Sequence, residues 1–133
     1  MIALDTNVLV RFIVDDDPEQ SRRAKRLIDE QVEAGLSCFV PDLALAELVW
    51  VLDVSYKIPR PKIAGILAAL VAARQLSFEA SDRLMRAIRA YASGQGDFAD
   101  YLMREQVKAA ECLALATFDA DLHDDEMFMA VPE

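Results

Sequence analysis

Five acidic side chains stand where their types and spacing allow chemistry. Asp5 closes a short apolar run, residues 2–4, and Asp119 follows another, residues 113–117, after the single residue Phe118. Glu47 is the one polar residue in Leu43-Ala44-Leu45-Ala46-Glu47-Leu48-Val49-Trp50-Val51-Leu52. Asp97 and Asp100, three apart, fall on one face of a further helical segment. Clustered carboxylates repel and raise one another's pKa, and a divalent cation removes that conflict. Ligation by oxygen alone selects a hard ion, Mg²⁺ or Mn²⁺. Sites of this kind serve phosphate chemistry, in which the cation activates water and stabilises the displaced oxygen. Cys38, Cys112 and His123 are the full complement of their types, too few for a Cys/His zinc site. They leave His123 as the one possible base for a Ser-His-Asp or Cys-His arrangement.

Each acid also has a purely structural reading. Asp5 and Asp97 suit helix N-caps, Asp100 suits a first helical turn, and Asp119 suits an ordinary turn. Glu47 is the most informative of the set. A helix apolar on all sides is expected to be buried. A buried carboxylate costs several kcal/mol, on the order of the effective penalty per desolvated ion, unless it is paired. No cation lies within one turn, so a buried Glu47 would need an Arg, a Lys or a metal from elsewhere. Asp100 shares its face with Met103 and Val107, which are expected to point inward.

The elements that must position these acids alternate along the chain. The short apolar run 2–4 and the segments 37–40, 76–78, 113–117 and 128–131 read as strands. Helices are expected over residues 6–14, from Pro18 to about 34, 43–56, 62–74, 81–91 and 98–111. Asp17 is the expected cap and Gly35 the expected stop of the second helix. Strands separated by helices imply crossovers, hence a three-layer α/β/α arrangement around a mostly parallel central sheet. Functional groups in such sheets gather beyond the carboxyl ends of the strands. That rule would bring Asp5 and Asp119 to one edge. With 133 residues and no linker or repeat, one domain over residues 1–133 is expected.

Composition sets the remaining bounds. A 54% hydrophobic and 28% charged chain argues for a packed domain. Two cysteines in a chain that forms an ordinary core need no disulfide and fit a reducing cytoplasm. Asp5 interrupts any signal sequence, and the longest uncharged apolar run, residues 63–73, is too short to span a bilayer. The net charge of −9 speaks against simple electrostatic binding of nucleic acid. Residues 97–133 carry ten acids and two bases. Possible cationic tracks are Arg22, Arg23, Lys25 and Arg26 on one helix and Arg83, Arg86 and Arg89 on another, with Arg11 close behind Asp5. Solvated helix faces would read the same way.

With these residues in place the chain resembles the PIN-domain ribonucleases, and within them the VapC toxins of bacterial toxin–antitoxin pairs. The segments that carry the resemblance are Leu4-Asp5-Thr6-Asn7-Val8-Leu9-Val10-Arg11, Leu45-Ala46-Glu47-Leu48-Val49-Trp50, Asp97-Phe98-Ala99-Asp100-Tyr101 and Thr117-Phe118-Asp119. Their order and spacing match over nearly the whole chain. The resemblance implies Asp5, Glu47, Asp100 and Asp119 as the metal-serving acids, with Asp97 beside them and Asn7 and Thr117 as polar lining. It also implies Mg²⁺-dependent hydrolysis of RNA of the tRNA or rRNA class, a homodimer, and inhibition by a small antitoxin. Glu111-Cys112 stands where many members have a glycine, so the turn after the sixth helix is expected to differ.

Two other classes compete. A phosphoryl-transfer module of the receiver or phosphatase type also places an Asp after its first strand. A haloacid-dehalogenase-like site would want a second Asp where Asn7 stands, and a receiver would want an acidic pair and a late Lys. A stable aspartyl-phosphate adduct in an intact mass spectrum would mark that class. The other class is a non-catalytic binding protein with an acidic solvating surface, marked by failure to bind Mn²⁺.

Overall fold

The structure is a computed structural model that describes residues 1–133. Its contacts fall into two compact units, Met1–Ser81 and Asp82–Glu133.

In the first unit the chain enters through Ala3, which bridges in parallel to Phe39. Leu4 N–H donates to the Phe39 carbonyl and Phe39 N–H to that of Ile2, each at 2.8 Å. Phe39 belongs to β1 (Cys38–Phe39), which pairs in parallel with β2 (Leu76–Ser77). The order is therefore residue 3, β1, β2, with helices on every connection. The expected strands form at these places but are only two residues long, or a single bridge. The parallel direction holds.

The helices follow the sequence signals closely. α1 (Thr6–Ile13) starts at Asp5, whose side chain caps it. α2 (Pro18–Glu33) has Asp17 as its cap and Pro18 in its first turn. It stops before Gly35, which has the left-handed φ of 79° that glycine adopts without steric cost. α3 (Asp42–Trp50) runs into a π-helical turn, Val51–Ser55, and α4 (Arg60–Ala72) begins behind Pro59. Buried residues include Leu4, Leu9, Val10, Ile28, Val40, Leu45, Leu48, Leu52, Ile63 and Leu67. α1 packs against both α2 and α3.

The second unit holds α5 (Ser81–Ser93), α6 (Phe98–Ala109), β3 (Leu115–Thr117), a 3₁₀ turn (Ala120–Leu122) and β4 (Phe128–Ala130). β3 and β4 are parallel, with Leu115 opposite Phe128. Leu84, Ala87, Ile88 and Tyr91 are the buried face of α5, as their helical spacing predicts. Tyr91 meets Phe98 edge-on with ring centres 5.8 Å apart, and Tyr101 meets Phe128 likewise at 6.4 Å. Such pairs add about 1 kcal/mol beyond the area they bury. Glu111, after α6, has a φ of 61°. The departure from glycine at this turn therefore leaves a side chain in the left-handed region. No helix is long and apolar enough to cross a membrane. Cys38 is buried, Cys112 is exposed, and both are free thiols.

Candidate active site

In the first unit Asp5 and Glu47 meet through Thr6. The Thr6 N–H donates to Asp5 Oδ1 at 2.7 Å, and the Thr6 hydroxyl donates to Glu47 Oε2 at 3.2 Å. Thr6 is buried between them. The two carboxylates line one cleft of about 410 Å³ with Asn7, Val10, Arg11, Val51, Ser55 and Tyr56. Local sequence explains this arrangement. The strand-like residues 2–4 end at a cap aspartate, which fixes the start of α1, and α3 lies against α1 and brings Glu47 alongside. Neither Asp5 nor Glu47 forms an ion pair.

Glu47 corrects one expectation, because it is exposed. Although almost every neighbour in sequence is apolar, α3 is buried on one side only. Ala44, Leu45, Leu48 and Val49 face inward, whereas Leu43 and Trp50 are 70% and 62% exposed. Glu47 lies on that outer stripe, one turn from each, so burial imposes no need for a counter-ion. The spacing of the outward residues at 43, 47, 50 and 54 follows helical periodicity and was legible. What hid it was that both faces are apolar.

Arg11 is fixed at the cleft. Its Nε donates to Gln20 Oε1 at 2.8 Å, and its Nη1 meets Asp16 Oδ1 at 2.5 Å. Tyr56, which follows the π-helical turn, donates from its hydroxyl to Asp16 Oδ2 at 2.7 Å. That bond, with Arg11 beside it, holds the Asp16 carboxyl below its ordinary value, and the same bond pushes the Tyr56 hydroxyl up. Arg22, Lys25 and Arg26 line a separate surface hollow together with Asp29, Glu30 and Glu33, so their charge is partly offset. Arg26 pairs with Glu30. Arg23 lines a groove of about 690 Å³ beside Asn7, Arg11, Gln20, Ala24 and Leu27.

In the second unit Asp100 is half-buried and Asp97 exposed at the start of α6. Asp100 Oδ2 accepts the Asp97 N–H at 2.8 Å, the reciprocal half of a helix cap. The inward face of α6 carries Phe98, Tyr101 and Glu105. Met103 is half exposed, so the expectation that it points inward beside Asp100 fails. The loop before α6 is tight. A Cβ on Gly96 would lie 2.4 Å from Leu122 Cδ2, and one on Gly94 would collide with the Tyr101 hydroxyl. Asp119 is exposed and caps the 3₁₀ turn, accepting from Asp121 N–H at 3.0 Å. Thr117 Oγ1 accepts the Asp119 N–H at 3.0 Å, so Thr117 shapes the turn that carries Asp119.

Arg86 is not a free cation, because its Nε donates to Glu105 Oε1 at 2.6 Å, although its side chain remains 49% exposed. Glu105 is 1% exposed and also meets Arg104 Nη2 at 2.9 Å and Lys108 Nζ at 3.6 Å. Burial pushes the Glu105 carboxyl up, but the Arg86 bond and the Arg104 charge outweigh it and hold it below its ordinary value. Arg104 Nη1 reaches Asp125 Oδ2 at 2.6 Å. Sequence reasoning passed over Glu105, although its place four residues after Tyr101 marks it as inward-facing. It also passed over Thr6, Asp16 and Tyr56, whose partners lie far along the chain.

Asp5 and Glu47 give an all-oxygen donor set suited to a hard cation. Asp5 Oδ2 and Glu47 Oε1 have no partner within the protein, and one or two carboxylates completed by water are the usual protein share of a Mg²⁺ site. Neither unit by itself gathers three or more His, Cys, Asp or Glu side chains in a metal-holding group. The two-carboxylate cleft is therefore what fits.

The family model described as PIN domain matches residues 2–125, and the chain belongs to the PIN-domain family. It is similar to the VapC ribonuclease of Aquifex aeolicus (strain VF5), at 29% identity over 108 residues that cover 81% of this chain and 79% of that protein.

Proposed function

We propose that this chain is a Mg²⁺- or Mn²⁺-dependent endoribonuclease and the toxin of a type II toxin–antitoxin pair. The observation that carries the reading is the pair of unneutralised carboxylates, Asp5 and Glu47, joined through Thr6 at one cleft. Family membership and the similarity to a VapC ribonuclease support it. When bound, the cation offsets the carboxylate charge and activates water toward the phosphodiester. Asp5 and Glu47 hold it, and Thr6 keeps their spacing. Asp100 and Asp119 take the remaining acid roles, with Asp97 and Thr117 shaping their turns. Asn7 and Arg11 meet the substrate beside the acids.

On this reading residues 1–133 are one domain of three-layer α/β/α form, working in the cytoplasm on tRNA or rRNA. The protein is a homodimer held in check by a small antitoxin. The exposed stripe of Leu43, Trp50 and Val54 supports a protein partner, because apolar residues grouped on one helix face mark interaction surfaces.

The test is cleavage of unfractionated RNA by the purified protein and by Asp5→Asn and Glu47→Gln. We expect cleavage to require Mg²⁺ or Mn²⁺ and to fall at least about a hundredfold in each variant, with unchanged thermal unfolding. Full activity in Asp5→Asn would sink the proposal. An aspartyl-phosphate adduct without RNA cleavage would move the protein to the phosphoryl-transfer class.

A further inference from the structure

We propose that Arg11 takes a phosphate of the RNA strand, and that Asp16 and Tyr56 are positioning residues that set its guanidinium at the mouth of the cleft. The inference rests on reading the Asp5–Glu47 cleft as the nuclease site. Arg11 lines that cleft, and its side chain is 29% exposed. Gln20 and Asp16 take one N–H each from Nε and Nη1. A guanidinium has five N–H donors, so three remain to meet a phosphate. Held on two sides, the fork loses little further freedom on binding, which is what a positioned phosphate contact needs.

Tyr56 reaches Asp16 because the helix after α3 is wound with one extra residue. The Tyr56 N–H bonds to the Val51 carbonyl at 3.2 Å, five residues back, and Lys57 then leaves the helix with a φ of 54°. An uninterrupted α-helix would turn the next position by about 100° around the axis and carry the ring elsewhere. Wide turns of this kind recur at functional sites. Here the turn supplies both Val51 and Ser55 to the cleft wall and Tyr56 to the Asp16–Arg11 chain.

The experiment measures KM and kcat for RNA cleavage, the salt dependence of tRNA binding, and thermal unfolding. For Arg11→Ala we expect KM to rise about tenfold, and the slope of log affinity against log salt to shrink by about 0.7, the loss of one single-strand phosphate contact. Arg11→Lys keeps the slope but still raises KM, because one ammonium cannot hold Gln20, Asp16 and a phosphate edge together. Tyr56→Phe and Asp16→Asn raise KM about fivefold with kcat within about twofold of wild type. A variant that melts early but keeps wild-type KM and salt slope shows a structural role only and overturns the proposal. An unchanged KM in Tyr56→Phe overturns the positioning role, whatever Arg11→Ala does. If Asp5→Asn is inactive while these variants behave as wild type, this inference alone fails. If Asp5→Asn is fully active, the site reading fails and takes this one with it.

Discussion

Replacing Glu105 by Gln should lower the thermal midpoint by about 10 °C at pH 7. The carboxylate is 1% exposed and receives Arg86 at 2.6 Å and Arg104 at 2.9 Å. An amide keeps the shape and removes the charge, so the guanidinium of Arg104, itself 13% exposed, faces a neutral group. Breaking a buried pair from one side costs about 3–5 kcal/mol. The Arg86 side chain is 49% exposed and regains water, and Asp125 still serves Arg104, which places the cost at about 3 kcal/mol, the lower end of that range. At an unfolding entropy of about 2.1 cal/mol/K per residue, a chain of 133 residues changes its midpoint by about 1 °C for every 0.28 kcal/mol. The pH dependence adds a second check. Glu105 is held below its ordinary value, 4.5, so its contribution is complete above that value and is lost as the pH falls through the depressed one. Scanning calorimetry of wild type and variant from pH 8 to pH 3 should show a constant gap at the neutral end that narrows below pH 4.5. A gap under about 3 °C at pH 7, equivalent to less than 1 kcal/mol, or one that does not narrow in acid, would refute the reasoning.

Three further outcomes follow from single contacts. Glu111→Gly relieves a left-handed residue at 61° and should raise the midpoint by about 3 °C, worth about 1 kcal/mol, in a melting curve. Gly96→Ala drives a methyl group against Leu122 and toward Asp100 Oδ2, and should cost about 1–3 kcal/mol in urea unfolding and reduce RNA cleavage with it. Thr6→Val removes the hydroxyl held by Glu47 while keeping the shape, and should weaken Mn²⁺ affinity about tenfold in calorimetric titration.

Most of the fold was legible because its punctuation is local. Asp17-Pro18 starts α2 and Gly35 ends it through backbone preferences that act within a few residues. The α5 face follows from helical spacing alone. The strands were placed correctly but overextended, since Val40 and residues 113–114 continue the apolar stretch beyond the few positions that pair. The π-helical turn was not legible. Nothing in Val51-Leu52-Asp53-Val54-Ser55 marks an extra residue in the winding, and the contact beside it joins Tyr56 to Asp16, forty positions away. Ion-pair partners are equally non-local, which is why the pairing of Arg86 with Glu105 and of Arg104 with Asp125 could not be read from spacing.

The exposure of Glu47 sharpens the chemistry. A buried Glu47 would need a built-in cation, and that cation would occupy the lone pairs a metal requires. The exposed Glu47 of the structure needs no such partner. One oxygen is steadied by Thr6, the other is unpaired, and exposure leaves the charge to be solvated by water. The same logic applies to the −9 balance. Net charge resists RNA as a whole, but local binding depends on which charges are already committed. Arg86 and Arg104 are held by Glu105, and Arg26 is shared with Glu30. Arg11 is held on two sides, yet three of its N–H groups remain open beside a cleft whose acids have no cation of their own. A cation bound there would lower the local negative charge at the place where, on the proposed reading, the substrate phosphate approaches.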